Sequence, residues 1–116
     1  MLKGLREKFS RPIEDIESER LRDRVEDFGA VPIAEAPRRR PAVLVGEVQG
    51  LQVVPRAGGT SLEVTIDDGT ARAVAVFTGR SRLGGVSVGR RVVLEGVGRD
   101  EHGRLVILNP AYTIVE

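Results

Sequence analysis

The stretch TSLEVTIDDGTARAVAVFT, residues 60–78, carries the clearest structural signal in this chain. In its first half, polar residues alternate with the apolar residues Leu62, Val64 and Ile66, as they do on a β-strand that is buried on one face. Asp68-Gly69 follows, and this dipeptide is typical of a tight hairpin turn. Residues 71–78 alternate again and predict the returning strand. The stretch therefore predicts a β-hairpin.

Further strands are expected on both sides of this hairpin. Residues 42–55 predict a long first strand, in which two glycines would suit a bulge or sharp coiling. After the hairpin, residues 80–89 are rich in glycine and predict a connector with at most one helical turn. Residues 91–97 predict the fourth strand. A fifth strand is expected over residues 104–108 and, after an interruption at Asn109-Pro110, it continues to Val115.

Five short strands of this kind predict a small closed barrel. A β-sandwich would need about seven strands, and an open meander would leave apolar edges exposed. The side chains expected in the interior of the barrel are Val43, Val45, Val48, Leu62, Val64, Ile66, Ala73, Ala75, Phe77, Val92, Leu94, Leu105 and Ile107. The fold class is therefore predicted as all-β with a helical arm.

The arm precedes the strands. Residues 1–9 predict one or two helical turns, and a helix that Ser10 would cap is expected to run to about Asp27. Its apolar stripe is thin, so this N-terminal α-helix needs something to pack on. An extended linker rich in proline and arginine follows. The predicted organisation is an arm and linker over residues 1–41 and a barrel over residues 42–116.

Composition excludes several classes of protein. The chain has 116 residues, no cysteine and one histidine, so disulfide frameworks and thiolate or multi-histidine metal sites are excluded. No run of apolar residues is long enough to span a membrane. Lys3 and Arg6 interrupt what would be the apolar core of a signal peptide, so we expect a cytoplasmic protein.

No group of residues in the sequence predicts catalysis. His102 has no second ligand with which to form a metal site, and Asp67 and Asp68 are explained as turn formers before a glycine. The glycine pairs lack the lysine and serine or threonine of a phosphate-binding loop. We therefore expect a binding protein rather than an enzyme, with no cofactor and no metal ion.

Charge is segregated along the chain although the net charge is only +1. Residues 12–28 carry seven acidic side chains against three arginines, whereas residues 38–116 carry eleven arginines against eight acidic side chains. The acidic segment could screen the body of the protein or dock on it, or could simply be a solvated helix face. Only two of the 18 basic residues are lysines, and guanidinium groups suit phosphate contacts.

Several motifs together resemble a known family. They are VGEV (45–48), LEVTIDDGT (62–70), RAVAVF (72–77), VGRRVVLEG (88–96), GRL (103–105) and NPAY (109–112). In this order they resemble the bacterial OB-fold nucleic-acid-binding domains, in particular the wedge domain of RecG-type helicases and small stand-alone OB proteins with a short helical arm. The resemblance covers residues 42–116 and implies a five-stranded OB-fold barrel.

The resemblance also implies a ligand groove across strands two and three, flanked by the loops that join strands one to two and four to five. The residues placed around it are Arg56, Thr65, Arg72, Val74, Arg80, Arg82, Arg99 and Arg104, with Glu63 on the same face. The expected partner is single-stranded or junction DNA, or RNA. Aromatic stacking residues are scarce and Arg82 is the best substitute, so we expect weak, salt-sensitive binding.

An adaptor function is the alternative. In that reading the barrel is a scaffold that binds protein, and residues 1–28 mediate self-association or bind a partner protein. The two readings differ in what occupies the groove. Arginines along it favour a polyanion, whereas a carboxylate or a plugging side chain there would argue against nucleic acid and favour the scaffold.

Overall fold

A computed structural model describes residues 29–115 of the chain. Within that range the protein is all-β, with one short 3-10 turn, Ile33–Glu35, ahead of the strands. The strands are β1 Pro41–Arg56, β2 Gly59–Asp67, β3 Arg72–Thr78, β4 Arg91–Glu101, β5 Arg104–Leu108 and β6 Ala111–Ile114. The predicted helical arm falls on residues 1–28 and lies outside the described residues.

The strands form one closed sheet. Neighbours follow the order β1-β2-β3-β5-β4, and β4 pairs back onto β1. Only β3 and β5 are parallel. The long β1 makes closure possible, because residues 41–47 pair with β4 and residues 47–56 pair with β2. The register shifts between Val48 and Gly50, where the strand passes from one partner to the other. The predicted closure of five strands is confirmed.

Strands β5 and β6 run one after the other along β4. Asn109-Pro110 separates them, as the sequence predicts, and β6 pairs with residues 92–95 of β4. Asn109 has a φ of 51° and its side-chain Oδ1 accepts a hydrogen bond of 2.9 Å from the backbone N–H of Thr78. The asparagine therefore joins the interruption to the end of β3.

The core fills the interior of the closed sheet, and most of the predicted interior residues belong to it. The prediction is wrong for Val43 and Val45, which are only half-buried. Leu44, 3% exposed, points inward instead. Residues 43–45 are all apolar, so their alternation carries no information about direction. The register shift after Val48 was also not visible in the sequence.

The segment before β1 is packed against the sheet, which corrects the expectation of an extended linker. Ile33 is 2% exposed and belongs to the same core as the strands, together with Ala36. Arg38 bridges to Gly98 of β4, and its guanidinium pairs with Asp100 at 3.0 Å. Ile33 and Ala36, between Pro32 and Pro37, are the apolar side chains that this segment buries. Its proline and arginine content had instead predicted an extended linker.

The connector between β3 and β4 contains turns and bends. The single helical turn that the sequence allowed there is absent from residues 79–90. Leu83 is buried in the core and Val86 packs against it. Throughout residues 29–115, no helix is long and apolar enough to cross a membrane.

Candidate nucleic-acid interface

The outer face of β2, β3 and β5 is continuous. Thr65 lies opposite Val74, and Val74 lies opposite Val106. In the next row Glu63 lies opposite Val76, and Val76 lies opposite Leu108. Because paired residues project from the same side of a sheet, these residues share the face that sequence analysis assigned to the groove.

The middle of this face is apolar, and its side chains are buried. Val74, Val76 and Val106 form a small cluster of their own, separate from the main core. Val74 is only 6% exposed, so its side chain lies in the floor and offers little surface to a ligand. Thr65 beside it is half-buried and lines a shallow groove with Glu63 and Arg104.

Glu63 lies between two of the predicted arginines. Its Oε2 is 3.4 Å from Nη2 of Arg56, and its Oε1 is 3.5 Å from Nη1 of Arg104. The glutamate side chain is 13% exposed, whereas the two arginines are about half exposed. Glu63 was expected on this face, but its partners, which come from the end of β1 and the start of β5, were not predicted. A carboxylate therefore occupies the groove.

Arg72 is paired as well. Its Nε donates a 3.0 Å hydrogen bond to Oδ2 of Asp67, the residue opposite it in the β2–β3 pair. The backbone N–H of Gly69 and then the Arg72 guanidinium lower the pKa of the Asp67 carboxyl below its usual value. Arg72 thus contributes to the hairpin, and a phosphate would have to compete with Asp67 for it.

Arg99 on β4 is also paired with a carboxylate. Its Nη2 lies 2.9 Å from Oε2 of Glu101, two residues along the strand. The following turn contains His102, which is exposed and has a φ of 54°. The interpretation of His102 as a solvated turn residue fits this position. Four of the six predicted arginines are therefore held by carboxylates.

Arg80 and Arg82 differ from the other four. Both are exposed, and neither makes an ion pair with another residue in the range 29–115. The backbone N–H of Gly79 donates a 2.8 Å hydrogen bond to the carbonyl of Thr60. Arg80 therefore leaves β3 beside the start of β2, at the end of the sheet where β1 turns into β2 and Arg56 lies.

Aromatic side chains contribute little stacking surface in the described range. Its two aromatic residues are Phe77 and Tyr112. Phe77 is buried, as predicted, and its ring centre lies 5.8 Å from that of Tyr112 in an edge-to-face contact. Both rings pack on or within the core, so base contacts on this surface would have to involve arginine planes or aliphatic groups.

The paired aspartates, Asp67 and Asp68, lie at the β2–β3 turn. Oδ1 of Asp68 accepts hydrogen bonds from the Thr70 hydroxyl and from the backbone N–H groups of Thr70 and Ala71. Its Oδ2 accepts a 2.8 Å hydrogen bond from the backbone N–H of Ile33. Burial opposes ionisation of Asp68, but these hydrogen bonds together lower its pKa. Within residues 29–115, no three metal-binding side chains are grouped.

No family model matches the chain, and no curated protein matches its sequence.

Proposed function

We propose that this protein is a non-catalytic OB-fold module that binds the backbone of nucleic acid weakly. One observation carries the proposal. The closed order β1-β2-β3-β5-β4, with a β1 that pairs at both ends, supports the proposal of a five-stranded OB barrel. Proteins with this fold commonly bind oligonucleotides on the face of strands two and three. Fold alone does not assign function, so the residues on that face must support it.

Charge supports the proposal in part. Residues 29–115 carry eleven arginines against eight carboxylates, and arginines border both ends of the β2–β3 face. Of the six arginines predicted to bind the ligand, Arg80 and Arg82 are the two that need break no ion pair within the described range to reach a phosphate. A guanidinium binds phosphate through two parallel hydrogen bonds, so these two residues are the proposed primary contacts.

Other features limit the affinity. Contacts through Arg56, Arg72, Arg99 or Arg104 would each replace an existing ion pair. The described surface also lacks the aromatic rings that contribute about 1–3 kcal/mol per stacked base in OB proteins. We therefore propose binding that is dominated by phosphate contacts, tolerant of sequence and strongly dependent on salt.

Fluorescence anisotropy with labelled single strands and forked duplexes tests this function. The wild-type chain is expected to bind at low salt and to lose affinity steeply as salt rises. Replacing Arg80 and Arg82 together with alanine should weaken binding at least several-fold. Arg90→Ala is the control, because Arg90 precedes β4 and lies away from the β1–β2 turn. Absence of binding by the wild type at low salt would refute the proposal.

A protein-binding scaffold is the second candidate, and Glu63 is the observation that favours it. The carboxylate lies in the groove, and Leu108 beside the valine cluster is 44% exposed. An exposed apolar side chain beside charged residues suits a protein partner. Light scattering on the full chain tests self-association, and a dimer that persists at high salt, together with no nucleic-acid binding, would favour this candidate.

A further inference from the structure

Among residues 29–115, Glu63 is the one carboxylate that contacts two of the arginines predicted to bind the ligand. Its two oxygens are each directed at a different guanidinium, Arg56 on one side and Arg104 on the other. These arginines come from opposite ends of the face, one from the end of β1 and one from the start of β5. The glutamate thus pairs with one arginine from each side of the groove.

We propose that Glu63 is an internal competitor that occupies the positions of ligand phosphates on Arg56 and Arg104. This inference rests on the proposed function and assigns a regulatory residue to the same site. A carboxylate and a phosphate present similar oxygen acceptors to a guanidinium, so they compete for the same donors. Binding of nucleic acid through Arg56 and Arg104 therefore requires their ion pairs with Glu63 to break.

The position of Glu63 makes this competition effective. With 13% of its side chain exposed, the carboxylate is poorly screened by water compared with the arginines that it contacts. A phosphate placed between Arg56 and Arg104 would lie close to this negative charge. Like charges held together at an interface oppose binding, so Glu63 lowers affinity even when it remains paired.

Replacement of Glu63 by glutamine tests the inference, because glutamine keeps the shape and removes the charge. Glu63→Gln should bind a labelled single strand about tenfold more tightly at low salt. The affinity of Glu63→Gln should also fall more steeply with salt, because two additional phosphate contacts release counterions. The slope of log affinity against log salt concentration should be steeper by about one to two. Glu95→Gln is the control, since Glu95 is exposed on β4 opposite Val43 and away from β2 and β3.

A double-substitution cycle separates competition from a general change in charge. Arg104→Ala should weaken binding little in the wild type, where Glu63 holds the arginine, and several-fold in the Glu63→Gln background. Equal effects in the two backgrounds would overturn the inference. Circular dichroism and thermal melting of each variant confirm that the fold is kept.

The outcomes distinguish this inference from the proposed function. If the wild type binds and Glu63→Gln binds no more tightly, the competitor is refuted and the function stands. If only Glu63→Gln binds, the proposed function is refuted for the wild-type chain, and the inference that Glu63 occupies these arginines is supported. If neither chain binds a single strand or a forked duplex at low salt, the proposed function and the inference both fail.

Discussion

The carboxylate of Asp68 accepts a hydrogen bond of 2.8 Å from the backbone N–H of Ile33, which lies 35 positions earlier in the chain. One oxygen of Asp68 thus orders the β2–β3 turn, while the other holds the segment before β1 against the sheet. Ile33 is 2% exposed beneath this contact. The hairpin and the N-terminal segment are therefore stabilised together by a single side chain.

Asp68→Asn is expected to destabilise the fold by about 1–3 kcal/mol. Asparagine offers one acceptor oxygen where aspartate offers two, so either the turn or the Ile33 N–H loses its partner, and an unsatisfied N–H in a partly buried position carries about this penalty. Urea denaturation followed by circular dichroism measures the change. Glu47→Gln is the control, because Glu47 is exposed and its carboxylate is hydrogen-bonded only to the Gln49 side chain among the described residues. Equal stability of Asp68→Asn and the wild type would refute the role of Asp68.

Stability should fall as the solution becomes acidic. Hydrogen bonds lower the pKa of Asp68 in the folded state, so its contribution is complete above the unfolded value of about 3.9 and is lost as the pH falls through the lower folded value. Asp67 titrates in the same direction. Denaturation midpoints between pH 6 and pH 2 measure the effect. Below pH 4 the denaturation midpoint should fall less steeply with pH in Asp68→Asn than in the wild type. An identical dependence would contradict the role of Asp68 in acid stability.

Two truncated chains test whether residues 29–41 stabilise the sheet. A chain that begins at Gly29 keeps Ile33 and Ala36 in the core, whereas one that begins at Ala42 removes both. The shorter chain is expected to be less stable by about 2–4 kcal/mol, because burial of a large aliphatic side chain contributes about 1.5–3 kcal/mol. Thermal melting compares the two. Equal melting temperatures would show that residues 29–41 do not stabilise the sheet.

The direction of β1 can be tested by a matched pair of substitutions. Leu44 is 3% exposed in the core, whereas Val43 on the neighbouring position is half-buried and faces the other way. Leu44→Ala should lower the free energy of unfolding by about 2–5 kcal/mol, and Val43→Ala by less than about 1 kcal/mol. Chemical denaturation measures both. The reverse order would instead support the predicted interior position of Val43.

Gly96 should tolerate no side chain. A Cβ at this position would lie 2.7 Å from Cγ2 of Ile107 and 3.3 Å from Cβ of Pro110, where β4 meets the interruption between β5 and β6. Gly96→Ala is expected to destabilise by about 1–3 kcal/mol through overpacking. Gly50→Ala is the control, since nothing lies within 4 Å of a Cβ there. Comparable stability of the two variants, measured by urea denaturation, would contradict the close approach at Gly96.

The predictions that rest on local pattern agree with the structure. The β2–β3 hairpin, the turn at Asp68-Gly69 and the break at Asn109-Pro110 follow from alternation and turn chemistry within a few residues. The burial of Phe77 follows from the same alternation. The prediction for residues 43–45 failed where three apolar residues adjoin, because such a run has no polar position to mark the outer face.

The candidate site was predictable only as a set of positions. Sequence placed Glu63 and Thr65 on the outer face, with arginines in the flanking loops. It did not reveal that Glu63 pairs with both Arg56 and Arg104, or that Val74 would be buried among its neighbours. These facts depend on which strands become adjacent, and in particular on the parallel pairing of β3 with β5.

The amino-acid sequence alone therefore determined the strands, their turns and the surplus of arginine over carboxylate in residues 38–116, since each is a property of neighbouring residues or of composition. Tertiary structure decided which charges meet and which segments are buried. An ion pair depends on the positions of two side chains in space, and the closure of β1 onto both β2 and β4 brings together residues that are far apart in the chain. Asp68 meets Ile33 because the segment before β1 packs on the sheet, and Glu63 meets Arg104 because β3 pairs with both β2 and β5.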